Sequence, residues 1–401
     1  MKVEININKQ MNNRIKYFLS IACACLVFSF HFSTFNSLWA QQMPLSETAW
    51  ASVLTCGPGN DLYTSFGHSA LRICDTANGL DIVYNYGTFN FGTPHFYWKF
   101  AQGRLDYCLS RSRMDHFFIE NGLEGRSMSE QHLNLSHQEV CNLFVMLEWN
   151  YMPENRYYRY DFFRDNCATR VRDMVSHAVG CDTVLHRSVK TETYRHLLAS
   201  ALRDTMEWWR LGMDCLLGLA ADHRCTSVER MFKPCEMEAE LAEATVGADQ
   251  RHVVGAPVPL QPSSRVNMHR SFPPVIVFGL LFLLLAGLTY VEWKKRKNLL
   301  AVFDRIIFVL AGLIGLFLLF MWFGSAYYCT KWNLNVLWAS PLLILIAVRM
   351  RKSPCWALLL QEAMFAAALV WVLVCGLSSA LVPIILIFAL RVAMLLLTNR
   401  K

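Results

Sequence analysis

Charge is scarce in this chain. Only 17% of its 401 residues are Asp, Glu, Lys or Arg, while 54% are hydrophobic, a balance that argues against a wholly water-exposed protein. Metal-ligand spacing is missing too: none of the 14 cysteines stands in a CxxC pair or at the Cys/His spacing of a zinc site. That excludes a structural zinc module, and neither a metal nor another cofactor is expected. No internal repeat appears apart from the apolar segments. A nucleic-acid-binding patch is absent as well, because the net charge of +7 gathers in short clusters flanking those segments.

What the chain does have is apolar sequence, unevenly placed. Arg14 and Lys16 precede "YFLSIACACLVFSFHFSTF" and "SLWAQQ", so residues 1–40 read as a secretory signal cut after Ala40, or as an uncleaved anchor. A mixed, globular-looking stretch fills 41–255, and the Pro-rich "VVGAPVPLQPSS" opens a linker at 256–271. From 272 to 401 five segments, at 272–292, 300–323, 334–349, 354–375 and 378–397, approach the ~20 apolar residues that cross a bilayer. "KKRK", "RMRK" and "NRK" fall on one side of them if the spans alternate. Positive charge marks the cytoplasmic side, so the domain at 41–255 faces outward from a multi-pass inner membrane protein. Within the bundle, Glu362 and Arg391 come to similar depth and are expected to face each other.

The outward domain reads as α+β. "WASVLTCGPGNDLYTSFGHSALRICD" is an apolar run, a turn and an alternating segment with Phe66, His68, Ala70 and Arg72 on one face. "GLDIVYNYGTFNF" continues as a strand after a turn at Asn78–Gly79. In "LSHQEVCNLFVMLEWNYM", Val140, Leu143, Phe144 and Leu147 keep helical spacing behind a Ser136/Glu139 capping box. "RYYRYDFFRDNCATRVRDMVSHAVG" is extended before Cys167 and helical after it. Nine cysteines lie in this domain, an odd number that leaves at least one unpaired.

Cys167 is the candidate nucleophile. It follows the capping residue Asn166 and opens an amphipathic helix with Val171, Met174, Val175 and Ala178 on its apolar face. Unpaired N–H groups and the helix dipole favour a thiolate there, and the same groups can hold an oxyanion. His68, between the small residues Gly67 and Ser69 on a strand, is the candidate base. The next strand offers Tyr84, Asn85 and Tyr86 to orient the imidazole, of which Asn85 is chosen. Tyr63, Ser65 and Asn166 are candidate substrate contacts. So are Lys331, Asn333 and Asn335 in the outward loop "YYCTKWNLNVLWASP", which is expected to approach the domain with Trp332 and Trp338 at the membrane interface.

"LTCGPGNDLYTSFGHSALRI", "YNYGTFNFGTPHFYWKFAQGRLDY" and "YDFFRDNCATRVRD", followed by five spans, resemble the Lnb-type apolipoprotein N-acyltransferases over nearly the whole chain. The resemblance implies a circularly permuted papain-like domain related to the NlpC/P60 peptidases, with histidine before cysteine, standing in the periplasm. It also implies His68 and Cys167 as base and nucleophile, a phospholipid as acyl donor and a diacylated lipoprotein as acceptor. Two other readings share these residues: a membrane-anchored cysteine peptidase or amidase acting on cell-wall peptide, and a non-catalytic scaffold with Cys167 in its core.

Overall fold

The computed structural model describes residues 45–59, 61–180, 183–184, 192–202, 206–264 and 272–399, so the expected signal or anchor lies outside them. Seven strands form one sheet: β1 (Trp50–Cys56), β2 (His68–Asp75), β3 (Leu80–Thr88), β4 (Asp106–Arg113), β5 (Met128–His132), β6 (Tyr157–Arg159) and β7 (Val258–Gln261). Their order is β7-β5-β1-β2-β3-β4-β6, with every neighbouring pair antiparallel. β7 corrects the sequence expectation of a linker over 256–271. Extended, Pro-containing chain suits a sheet edge as well as a linker, and here it finds a partner strand.

Helices α1 (Phe96–Ala101), α2 (Met114–Leu123), α3 (His137–Tyr151), α4 (Cys167–Ala178), α5 (Tyr194–Ala201), α6 (Glu207–Leu216) and α7 (Pro234–Glu243) accompany the sheet. α3 begins where its capping box says it should: Glu139 N–H donates to Ser136 Oγ at 3.3 Å and Ser136 N–H donates to Glu139 Oε2 at 2.6 Å. The apolar face of α4 is buried through Val171, Met174, Val175 and Ala178. One side of the sheet meets α3 and α4, and the other packs Leu54, Cys56, Ala70 and Val83 against Phe117 of α2. No disulfide joins the described cysteines.

Among the described residues, five segments are long and apolar enough to cross a membrane. Four are continuous helices, α8 (Pro274–Lys295), α9 (Ala301–Phe323), α11 (Cys355–Cys375) and α12 (Leu381–Asn399). The third crossing, expected as a helix over 334–349, is broken: two 3-10 turns, Tyr328–Thr330 and Leu334–Leu337, lead into the short α10 (Leu342–Arg349). The break follows from Asn333 and Asn335, whose side chains bind backbone of α6 and of their own turn in place of a helical ladder.

The expected Glu362–Arg391 pair does not form. Arg391 instead grips Asp304 through Nε at 2.6 Å and Nη2 at 2.7 Å, Glu292 at 2.8 Å and Thr289 at 2.6 Å. This cluster joins α8, α9 and α12, while Glu362 Oε1 has no hydrogen-bond partner among the described residues. Depth along a helix set the height of both residues; rotation about the axis and the bidentate fit of Asp304 to the guanidinium chose the partner.

The two domains share a polar joint. Arg195 of α5 is 2% exposed and binds Asp214 at 2.9 Å and Asp222 at 2.6 Å. Asp214 Oδ2 accepts the Ser378 N–H of the membrane domain at 2.8 Å, and Trp371 Nε1 donates to Asp222 at 3.3 Å. Around the joint, Cys329 of the outward loop packs into one core with Phe163, Tyr194, Leu198 and Phe232. Arg195→Ala is expected to strip the closest charge partner from the buried Asp214 and the half-buried Asp222 and to cost about 3–5 kcal/mol, read as a lower unfolding midpoint of the detergent-solubilised protein. Arg113→Ala, at an exposed pair, should change it by less than about 1 kcal/mol.

Candidate active site

Cys167 is the first residue of α4, and Asn166 caps it: Asn166 Oδ1 accepts the Thr169 N–H at 2.9 Å, and Thr169 Oγ1 accepts the Asn166 N–H at 2.7 Å. The cap leaves the Ala168 N–H free to donate to the Cys167 sulfur, and the Ser69 N–H of β2 donates to it as well. His68, at the start of β2, is hydrogen-bonded to the same thiol. The imidazole Nε2 lies 2.5 Å from Asn85 Oδ1. An amide oxygen only accepts, so Nε2 carries a proton and Nδ1 is left for the thiol.

The choice of Asn85 among three neighbours rests on strand alternation. Tyr84 donates to Glu148 of α3 at 2.5 Å and Tyr86 accepts from Asn150 of the same helix at 2.9 Å. Asn85 between them therefore points to the other face, where His68 stands. Two glycines border the site, Gly67 for want of space and both for their backbone conformation. A Cβ on Gly67 (φ +87) would stand 2.8 Å from the Cys56 carbonyl, and one on Gly87 (φ +94) would enter the space 3.7 Å from Cys167 Cβ. Both φ values also suit glycine alone among common residues.

Electrostatically the pair is poised for charge. Burial pushes the Cys167 thiol up, but the facing His68 imidazolium, its hydrogen bond and the Ser69 and Ala168 N–H groups together pull it below the ordinary thiol value. Burial likewise disfavours the His68 cation, yet the Cys167 thiolate and Asn85 raise it above the ordinary imidazole value. Both shifts favour a thiolate–imidazolium pair.

Two further residues belong to this setting and carried no distinguishing signal in the sequence. Tyr158 Oη is buried without a hydrogen-bond partner among the described residues, 3.9 Å from the point where a Gly87 Cβ would lie. Burial, and then the Cys167 charge, hold its phenol well above the ordinary value, so it remains a donor. Arg126 is 5% exposed and binds the Gly57 carbonyl at 2.9 Å, and its positive charge opposes protonation of His68. A cavity of about 240 Å³ opens beside Gly67 and Cys56 and reaches Lys233 and Glu238, but Cys167, His68 and Asn85 do not line it.

The other sequence candidates lie elsewhere or are engaged. Ser65 is buried and donates to the Asp61 carbonyl at 2.8 Å, and Asn166 Nδ2 donates to the Phe162 and Phe232 carbonyls. Lys331 Nζ binds the Trp322 and Ser325 carbonyls at 2.6 and 2.5 Å. Asn333 and Asn335 are fully buried against α6, and Trp338 donates to Asn335 from the interior, not from a membrane interface. Asn333 and Asn335 pin the outward loop to α6, and Lys331 ties it to the end of α9. Tyr63 alone stays open, 58% exposed beside Phe89 and Phe91.

A family model for the Lnb N-terminal periplasmic domain matches residues 35–200, and one for the Lnb transmembrane domain matches residues 266–401. Neither a curated protein nor a solved structure matches the chain.

The lowered thiol value sets a pH dependence. Thiolate reactivity at Cys167 should persist below the ordinary thiol value of ~8.5 and fall only at more acid pH. His68→Ala removes the largest lowering contributions and leaves burial opposed only by the Ser69 and Ala168 N–H groups, so the midpoint should move upward. Iodoacetamide labelling followed by mass spectrometry of the Cys167 peptide measures both. Asn85→Ala should keep the thiol in place but let the imidazole turn, with a loss of about 10²-fold in turnover.

Proposed function

Because the chain belongs to the Lnb family of lipoprotein-maturation enzymes, with the family's periplasmic and transmembrane domains in order, we propose that it is a lipoprotein N-acyltransferase working through Cys167. The observation that carries this reading is the hydrogen-bonded Cys167–His68–Asn85 series at a helix N-terminus, in a domain docked on a membrane bundle. A soluble cell-wall peptide would not need that docking. A lipid ester in the bilayer would.

In the first half-reaction the Cys167 thiolate attacks an ester carbonyl carbon of a phospholipid. The C–S bond forms, the ester C–O bond breaks, and the departing oxygen takes the proton of the His68 imidazolium to leave a lysophospholipid. In this reading the Ser69 and Ala168 N–H groups and the Tyr158 hydroxyl supply hydrogen bonds to the developing oxyanion. In the second half the α-amino group of a diacylglyceryl-cysteine lipoprotein attacks the thioester carbonyl. The C–N bond forms, the C–S bond breaks, His68 accepts the amine proton, and the thiolate–imidazolium pair is restored. Splitting one difficult aminolysis into two steps is what a covalent intermediate achieves. Asn85 holds the imidazole plane through both halves.

Full-length protein incubated with acyl-labelled phospholipid and no lipoprotein is expected to retain hydroxylamine-sensitive label, and added diacylated lipoprotein should discharge it as an amide. Cys167→Ala should abolish both stages. His68→Ala should slow acylation by about 10²–10⁴-fold. Label released as free fatty acid at one rate with and without lipoprotein would make the protein a lipase, and lipoprotein acylation surviving Cys167→Ala would remove the site assignment.

A further inference from the structure

The segment between β3 and β4 presents an aromatic surface that thiol chemistry does not require. Phe91 is 61%, Tyr97 81%, Trp98 56% and Phe100 46% exposed. Large apolar side chains grouped in this way mark an interaction surface. Two contacts with the membrane domain fix its position. Trp98 stacks on Phe320 with ring centroids 5.1 Å apart, and Phe320 stands in the last turn of α9, which ends at Phe323. Phe100 meets Tyr327 at 6.0 Å, and the Ala326 N–H donates to the Gln102 carbonyl at 2.9 Å. α1 is thereby held at the outer end of a membrane-spanning helix. Trp322 and Trp332 lie at the same end, 5.0 Å apart, where aromatic side chains mark the bilayer–water boundary.

The inner end of the surface reaches the thiol. Phe96 lies 5.9 Å from Phe89, Phe89 lies 5.3 Å from Tyr107, and Tyr107 stacks on Tyr160 at 4.6 Å. The Tyr160 ring edge is 3.6 Å from the point where a Gly87 Cβ would lie, and Cys167 Cβ is 3.7 Å from it. An unbroken series of rings therefore runs from bilayer height to the nucleophile.

We propose that the β3–β4 segment inserts its exposed aromatic side chains into the outer leaflet, and that the ring series is the route by which a phospholipid acyl chain reaches Cys167. The second half of this proposal rests on the acyltransferase reading. Bilayer lipid is the occupant because the surface is continuous with the outer end of α9, and Lys99 on the same short helix supplies a cation at headgroup level. Tyr63, packed on Phe89, borders the route.

The test uses full-length protein in phosphatidylethanolamine/phosphatidylglycerol vesicles, with a photo-crosslinking amino acid at position 91 or 97. Crosslinks to labelled lipid are expected at both positions, and none from Val145 on α3, a helix without membrane-helix neighbours among its main contacts. Crosslinks to protein alone, or no crosslink, would overturn insertion. In a second arm, the double change Phe91→Ser and Tyr97→Ser should lower acyl labelling of Cys167 from vesicle phospholipid by about tenfold or more, as expected when buried aromatic contact with lipid is lost. Iodoacetamide labelling of Cys167 should stay unchanged, showing an intact site. Labelling from phospholipid at the unaltered rate would overturn the route. A parent protein that takes up no acyl label at all would defeat the acyltransferase reading, while the crosslinks would still decide insertion.

Discussion

The height of the nucleophile over the membrane depends on one buried guanidinium. Arg195 lies between Asp214 and Asp222, and each carboxylate in turn holds a group of the membrane domain, the Ser378 N–H and the Trp371 indole. Charges removed from water are costly unless every lone pair and proton finds a partner, and here nearly all do. The directional fit matters more than the net energy. Apolar packing between α6 and the bundle would tolerate sliding, whereas a forked donor between two acids accepts one arrangement. The outward loop is held in the same manner by Asn333, Asn335 and Lys331, all bonded to backbone carbonyls.

A second Arg–acid cluster closes the opposite end of the bundle. Arg391, Asp304, Glu292 and Thr289 join three helices near their basic ends, so that each end of the membrane domain is tied by polar groups while its middle is apolar. Without a hydrophobic drive between helices in lipid, such ties and close packing decide which helices stay together.

The site sets a thiol and an imidazole in aromatic surroundings. Tyr158 and Tyr160 flank the thiol, and Tyr107 stacks on Tyr160. Such a setting penalises an isolated thiolate, as burial does at Cys167, whereas His68 and the Ser69 and Ala168 N–H groups act together in the opposite direction and lower the thiol's value. An apolar wall is also what an acyl chain requires. On the proposed reading, one arrangement serves both the thiol and the path of the acyl chain to it.

Periodicity and capping make much of this legible in the sequence. The start of α3 at Ser136, the opening of α4 at Cys167, the strand carrying His68 and the five apolar segments all follow from local spacing, because hydrogen bonds within a helix turn or across a hairpin depend on near neighbours. Glycine at 67 and 87 is visible in the sequence, but only the structure shows that both take a positive φ and that the Cys56 carbonyl closes on Gly67. The partner of Arg391, the strand at 258–261 and the break in the third span are decided by tertiary contacts. Asn333 and Asn335 look available to substrate because sequence records a side chain's polarity and not the carbonyl waiting for it 118 or 121 residues away. What the sequence by itself determined is the local set: strands, helix starts, spans, and a cysteine where a thiolate is stabilised. What only the tertiary structure decided is azimuth and pairing, namely which face Asn85 takes, which acid meets each arginine, and where the aromatic segment rests. Those depend on distances between residues far apart in the chain, on which local periodicity places no constraint.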